Sequence, residues 1–272
     1  MPLLTLEEIE QAAPLFRGRF GNAFARTLMK ALAVDRINDL YDRNCRYSGP
    51  GFAKAILEDI GVGYTVLGRE RLDALGPGPF ITVSNHPYGS IDGIILADLF
   101  GHLRPDYKLI VNKMLSRIKA LEPSFITVTP TGKEHTAPSK DSISGIKEAV
   151  RHIREGHPLG IFPAGAVSDL SLKDRCVRDR EWQMPIIQLV RKMHVPVLPV
   201  RFLDRNSDFY YSLGLIDWRV RLLRLPSEVF NKAGKPVRVM IGGLISPEIQ
   251  DGIRGDEAFG AFLREQVYGL GR

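Results

Sequence analysis

The chain has 272 residues, 44% of them hydrophobic, which is enough to bury a sizeable core as one large domain or two small ones. Lysine and arginine number 37 against 31 acidic residues, a net charge of +6 that suits an anionic lipid surface, an acidic carrier protein or nucleic acid without choosing among them. Only two cysteines occur, Cys45 and Cys176, far apart and without a partner motif; neither a disulfide framework nor a zinc site is indicated, which fits a reducing cytoplasm.

Thr5 with Glu8 forms a capping box for a first helix that runs to Leu15. Phe16, Phe20, Phe24, Leu28 and Leu32 then recur at steps of four beside Arg17, Arg19, Arg26 and Lys30. That stripe suits a core-facing helix or one embedded in a lipid interface. Helices are expected at Asp35–Asn44 and Pro50–Ile60, the second closed by Gly61. Strand-like runs at Tyr64–Leu67, Phe80–Val83, Tyr107–Val111, Phe125–Val128, Leu159–Phe162 and Val197–Phe202 alternate with helical runs. The helical runs are Gly93–Phe100, Met114–Ala120, Asp141–Arg154 and Trp182–Met193, with a polar loop at Pro130–Lys140 and a charged loop at Asp169–Arg180. A helix at Asp208–Asp217, a basic-apolar stretch Trp218–Leu225, a strand at Pro236–Ile241 and a helix at Asp256–Tyr268 complete the pattern. Such alternation predicts an α/β fold: a largely parallel mixed sheet covered by helices on both faces. We divide it into a helical extension, residues 1–62, with possible membrane-surface contact, and an α/β domain, residues 63–272. No apolar run approaches the ~20 residues that span a bilayer, and Met1–Ala13 carries acidic residues but no basic region, against a signal peptide. Any membrane contact is expected to be peripheral.

Ser84 to Gly93 reads Ser-Asn-His-Pro-Tyr-Gly-Ser-Ile-Asp-Gly, directly after an apolar strand. His86 is the one histidine between a strand and a helical run, where α/β proteins expose reactive groups. A carboxylate beside an imidazole holds one tautomer and makes it a better base for a weak hydroxyl nucleophile. The plainer alternative is a structural turn in which Asp92 caps the next helix. His102, His135, His152, His157 and His194 lack acidic partners at metal spacing, so no metal site is expected. Gly160-Ile-Phe-Pro-Ala-Gly is either a strand ending in a tight turn or a place where backbone N–H groups near Gly165 meet an anionic oxygen.

Asn-His-Pro-Tyr-Gly-Ser-Ile-Asp (Asn85–Asp92) resembles the His-Asp block of the lysophospholipid acyltransferase family. Three further stretches follow in that family's order: Lys113–Val128, Gly160–Ser168 and Val195–Phe202. The resemblance covers Tyr64 to Phe202 and is closest to the hemolysin-like or ornithine-lipid acyltransferase-like branch. It implies acyl transfer from acyl carrier protein or coenzyme A to a hydroxyl of a lyso-lipid, with His86 as general base and Asp92 as its partner. No resident cofactor is implied; the thioester is a co-substrate. Asn85, Gly89, Lys113, Phe162, Pro163, Gly165, Ser168 and Arg201 fall in the matching blocks as candidates for substrate contact. A cytoplasmic enzyme at the inner face of an anionic membrane follows from the same resemblance, with no nucleic-acid partner. A lipid esterase is a rival reading, although no Gly-x-Ser-x-Gly elbow occurs. A non-catalytic lipid-binding protein with a degenerate site is the other.

The pattern also departs from the family. Five residues separate His86 from Asp92 where four are usual. Ala164, Ala166 and Val167 stand where glutamate, threonine and arginine are expected, and Val128 stands for another arginine. Guanidinium clamps phosphate in a planar, bidentate way that valine cannot imitate. An acceptor without a free phosphate, such as a lyso-aminolipid, is therefore favoured.

Overall fold

The computed structural model describes residues 33–129 and 140–271. Helices α1 (Val34–Asn44) and α2 (Gly49–Asp59) lead into β1 (Tyr64–Leu67), β2 (Ile81–Ser84), α3 (Ile91–Leu103), β3 (Lys108–Asn112) and β4 (Phe125–Val128). Then come α4 (Lys140–Arg154), β5 (Leu159–Ile161), a short ribbon of β6 (Asp169–Ser171) and β7 (Cys176–Arg178), α5 (Met184–Met193) and β8 (Val197–Phe202). The chain continues through α6 (Asp208–Ile216), α7 (Trp218–Leu223), α8 (Leu225–Phe230), β9 (Val237–Ile241), α9 (Pro247–Asp251) and α10 (Asp256–Gly269). The expected helices at Thr5–Leu15 and Phe16–Leu32, and residues 130–139 of the polar loop, lie outside the described residues.

Seven strands form one sheet in the order β1-β9-β8-β2-β5-β3-β4. Every pairing is parallel except β8 with β9, so β1 and β9 run against the other five. The α/β expectation holds, with the antiparallel step as its mixed part. β2 is central and fully buried, and its alternation splits it between two cores. Ile81 and Val83 join Ala149 and Ile153 of α4, Ile187 and Val190 of α5, and Phe259 and Leu263 of α10. On the opposite face Leu198, Val200 and Phe202 of β8 meet Phe52 and Ile56 of α2 and Ile95 and Phe100 of α3. Helices thus cover both faces, as a predominantly parallel sheet requires.

Three readings change. Residues 34–60 are not set apart from the sheet: Leu40, Phe52, Ala53, Ile56 and Leu57 share a core with Val237 and Val239 of β9, because α2 presents its apolar side at steps of three and four. The charged run Asp169–Arg180 contains the β6–β7 ribbon, whose strands are three residues each and too short to register as alternation. The basic-apolar stretch folds as α7 up to Leu223, and α8 and α9 follow as short helices each opened by a proline in the first turn.

Thr82 on β2 shares a 2.7 Å hydrogen bond with the buried hydroxyl of Tyr107, whose ring stacks on Phe100 at 5.2 Å between centroids. Gly160 on β5 makes room for that hydroxyl: an added Cβ would lie 2.0 Å from it and 2.5 Å from Leu109 Cδ2. Gly160→Ala is expected to destabilise by about 1–3 kcal/mol despite the better strand propensity of alanine, which is worth only about 0.5–1 kcal/mol. Denaturant titration checks it: the midpoint should fall with an unchanged slope.

Candidate active site

Five parallel strands end on one edge of the sheet, and the loops after β2 and β5 are neighbours there because the two strands pair Val83 with Ile161. Crevices at such strand ends are where α/β folds hold ligands. The β2 loop starts with Asn85, whose Nδ2 donates to the Phe202 carbonyl (2.9 Å) and whose Oδ1 accepts from the Phe202 N–H (2.8 Å). Asn85 is therefore buried and engaged with β8 rather than turned to substrate, a correction to its expected role.

His86 follows. Its Nδ1–H donates to Asp92 Oδ2 at 2.8 Å. Asp92 lies in the first turn of α3 and is fully buried; its Oδ2 also accepts from the N–H of Tyr88 (2.9 Å) and Gly89 (3.2 Å), and its Oδ1 from Gly93 (3.0 Å). Gly89 sits at φ 76°, and this left-handed residue lets the loop curl around the carboxylate and absorb the fifth intervening residue. An added Cβ there would strike Val167 at 2.5 Å, so the position is closed on both counts.

With the proton on Nδ1, Nε2 is left as a bare acceptor. The ring packs on Phe162, the residue after β5, at 4.1 Å between centroids and 30° between planes, and retains 17% side-chain exposure. Burial alone would lower the His86 pKa. The charge of Asp92, its hydrogen bond and the charge of Asp179 outweigh that and leave it raised above the ordinary histidine value.

The loop after β5 turns tightly. Gly165, at φ 64°, donates its N–H to the Phe162 carbonyl at 3.0 Å, while Gln183 donates its backbone N–H to the Pro163 carbonyl and its Nε2 to the Ala164 carbonyl. The Gly165 N–H is thus spent on the turn, and an oxyanion contact near Gly165 falls to the N–H groups that follow it. Among the described residues no acceptor takes the N–H of Ala166 or Val167, the next two in the loop. Ala164 is buried in the core beside α5, and Val167 packs on Tyr210 and Tyr211 of α6. The family's charged positions are here apolar packing.

Ser168 is also corrected: it is buried, its hydroxyl bonds to Asp179, its N–H donates to the His86 carbonyl at 2.9 Å and its carbonyl accepts from Arg221 at 3.0 Å. Arg201 faces away from the site, because Leu198, Val200 and Phe202 occupy the other side of β8; its guanidinium donates to the carbonyls of Tyr268 (2.6 Å) and Leu270. Lys113 is exposed on the turn after β3, on the same edge of the sheet but two strands from β2. The structure therefore gathers His86, Asp92, Gly89, Phe162 and Pro163, and directs Asn85, Ser168 and Arg201 elsewhere. Asp179 was not foreseen: in sequence it is one acid in a charged loop, and only the fold buries it beside His86.

Among the described residues no group of histidine, cysteine and acidic side chains is placed to hold a metal. The family model for Acyltransferase matches residues 7–270, and the chain belongs to that family. It is an acyltransferase. It is 29% identical over 250 residues to the lyso-glycine lipid O-acyltransferase of Bacteroides thetaiotaomicron, spanning 89% of this chain and 88% of that protein. A lyso-glycine lipid O-acyltransferase of Phocaeicola vulgatus is 27% identical over 243 residues, 87% of this chain and 83% of that one. Among solved structures, the 1-acyl-sn-glycerophosphate (LPA) acyltransferase PlsC from Thermotoga maritima aligns over 79% of this chain and 78% of its own with a TM-score of 0.47 and 17% identity.

The raised His86 pKa can be measured directly. Its imidazole should titrate above about 6.5 by NMR, and Asp92→Asn should bring it down. A pKa raised by folding stabilises the protonated state, so this contribution to stability is complete below about pH 6.5 and is lost as pH rises through the folded value.

Proposed function

We propose that the enzyme acylates a hydroxyl of a lyso-lipid whose headgroup carries an amino acid rather than a phosphate, using an acyl thioester of coenzyme A or acyl carrier protein as donor. The observation that carries the mechanism is the buried His86–Asp92 pair with Nε2 left as the acceptor. A free alcohol is too weak a nucleophile at neutral pH. Nε2 takes the hydroxyl proton as the oxygen attacks the thioester carbonyl; a C–O bond forms, and the carbonyl electrons move to oxygen. Collapse breaks the C–S bond, and the departing thiolate receives the proton back from the imidazolium. Asp92 holds the tautomer and stabilises the imidazolium while it exists, as a triad carboxylate does, with the substrate hydroxyl in the place of a serine. No acyl-enzyme is required. The N–H groups of Ala166 and Val167 are the available donors for the oxyanion in this loop.

Two observations support the acceptor. Val167, in place of an arginine, is buried against Tyr210 and Tyr211 and offers no charge, and the neighbouring Arg221 guanidinium is engaged by Asp169 and the Ser168 carbonyl. Both curated relatives are lyso-glycine lipid O-acyltransferases. Lys113 remains the candidate for headgroup or carrier contact. Peripheral attachment to an anionic membrane, at its cytoplasmic face, fits the same reading. Met114 after β3, Leu172 at the ribbon tip, and Ile216 and Trp218 between α6 and α7 are exposed on segments that follow the catalytic ends of the strands. Lys113, Lys173 and Arg224 lie among them. Among the described residues no helix is long and apolar enough to cross a membrane.

His86→Ala should lower the acyl-transfer rate by roughly 10²- to 10⁴-fold while leaving the fold intact. Circular dichroism and a single-turnover assay decide this together, since a folded variant of undiminished rate would assign the base elsewhere. With one acyl donor, a lyso-glycine lipid and lysophosphatidic acid supplied together should give acylated glycine lipid in excess. Preference for lysophosphatidic acid would mean that another cation has rebuilt the phosphate site.

A further inference from the structure

The backbone of His86 is held as firmly as its ring. Its N–H donates to Asp179 Oδ1 at 3.1 Å, and its carbonyl accepts the Ser168 N–H at 2.9 Å. The Ser168 hydroxyl bonds to the same Asp179 oxygen and closes a ring of three hydrogen bonds. Asp179 Oδ2 accepts from the Trp182 indole at 3.2 Å. The Asp179 N–H donates to the Tyr268 hydroxyl at 2.7 Å, and its carbonyl accepts from Arg264 at 2.7 Å. Asp179 is 3% exposed, so its carboxylate has little access to water and its partners are these groups.

We propose that Asp179 is a positioning residue for the catalytic base, a second carboxylate that fixes the His86 main chain and the β5 loop to each other and adds negative charge near the imidazole. This rests on His86 being the base. A buried carboxylate engaged by three hydrogen bonds is poorly explained by stability alone, because a well-packed apolar group at the same place would avoid the desolvation cost. Its position gives it a use. A main-chain shift of about 1 Å at His86 would carry Nε2 out of reach of the acceptor hydroxyl, an error that costs on the order of 10²-fold in rate.

The charged and titratable groups around His86 and Asp179 come from each neighbouring element. They are Asp92 of α3, Arg178 of β7, the Asp169 ion pairs with Arg180 and with Arg221 of α7, Arg201 of β8, and Arg264 and Tyr268 of α10. Burial leaves the Asp179 pKa above the ordinary carboxylate value, although the hydrogen bonds from the Ser168 hydroxyl, the His86 N–H and the Trp182 N–H oppose the shift.

The test is the pH profile of kcat in Asp179→Asn, a near-isosteric change that removes the charge. We expect kcat to fall about tenfold or more with KM for donor and acceptor unchanged. The acid limb should also move to lower pH, because the imidazolium loses a stabilising charge. Ser168→Ala, which opens the hydrogen-bond ring without removing the charge, should lower kcat with no shift of that limb. A folded Asp179→Asn enzyme with the wild-type profile overturns the inference, as does a loss confined to KM. If Asp179→Asn does not fold, an unchanged kcat in Ser168→Ala overturns it instead. His86→Ala separates the two claims: activity retained there removes the base itself, whereas activity lost there with a silent Asp179→Asn removes only the positioning role.

Discussion

A proton on His86 Nδ1 points at Asp92 Oδ2, and most of what surrounds the site exists to keep it so. The carboxylate is fixed by the main-chain N–H groups of Tyr88, Gly89 and Gly93 as well as by the ring, so it has no freedom to rotate away. Those N–H groups converge only because Gly89 takes a left-handed conformation and because α3 begins at Ile91, which places Asp92 in its first turn. A negative charge there also faces the positive end of the α3 dipole. The result is an imidazole with its reactive nitrogen chosen by geometry before any substrate arrives.

The sheet supplies the rigid frame for that choice. β2 is buried on both faces and hydrogen-bonded on both sides, and Asn85 ties its last turn to Phe202 at the end of β8. The loop that carries His86 is consequently anchored at its start by β8, at its middle by Asp179 and Ser168, and at its end by α3. Tyr211 adds a fourth tie, its hydroxyl donating to the Pro87 carbonyl at 2.6 Å. Loops held this tightly lose little entropy when substrate binds, because the ordering cost is met on folding.

Much of this was legible in the sequence because the signals were local. β1, β4 and β8 stand where alternation or an apolar run placed them, and His86 and Asp92 share one short turn after a strand. The failures share a cause: partners distant in the chain. Asp179 lies 93 residues from His86, in a run of charges indistinguishable from a solvated surface loop. Asn85 and Ser168 belong to functional blocks yet face their own scaffold, since a motif records proximity to the chemistry and not the direction of a side chain. Arg201 could have been placed from alternation alone. With Leu198, Val200 and Phe202 on one side of β8, the arginine had to point to the other.

The Tyr268 hydroxyl that accepts the Asp179 N–H belongs to α10, which follows β9, the last strand of the sheet. During synthesis the strands of the sheet and the histidine loop emerge before it, and the tie from Asp179 to Tyr268 must wait. Contacts this remote in sequence close late, since the intervening chain must be ordered before they form. The scaffold can therefore be assembled before this anchor of the histidine loop is locked, and the final setting of the reactive centre waits on α10.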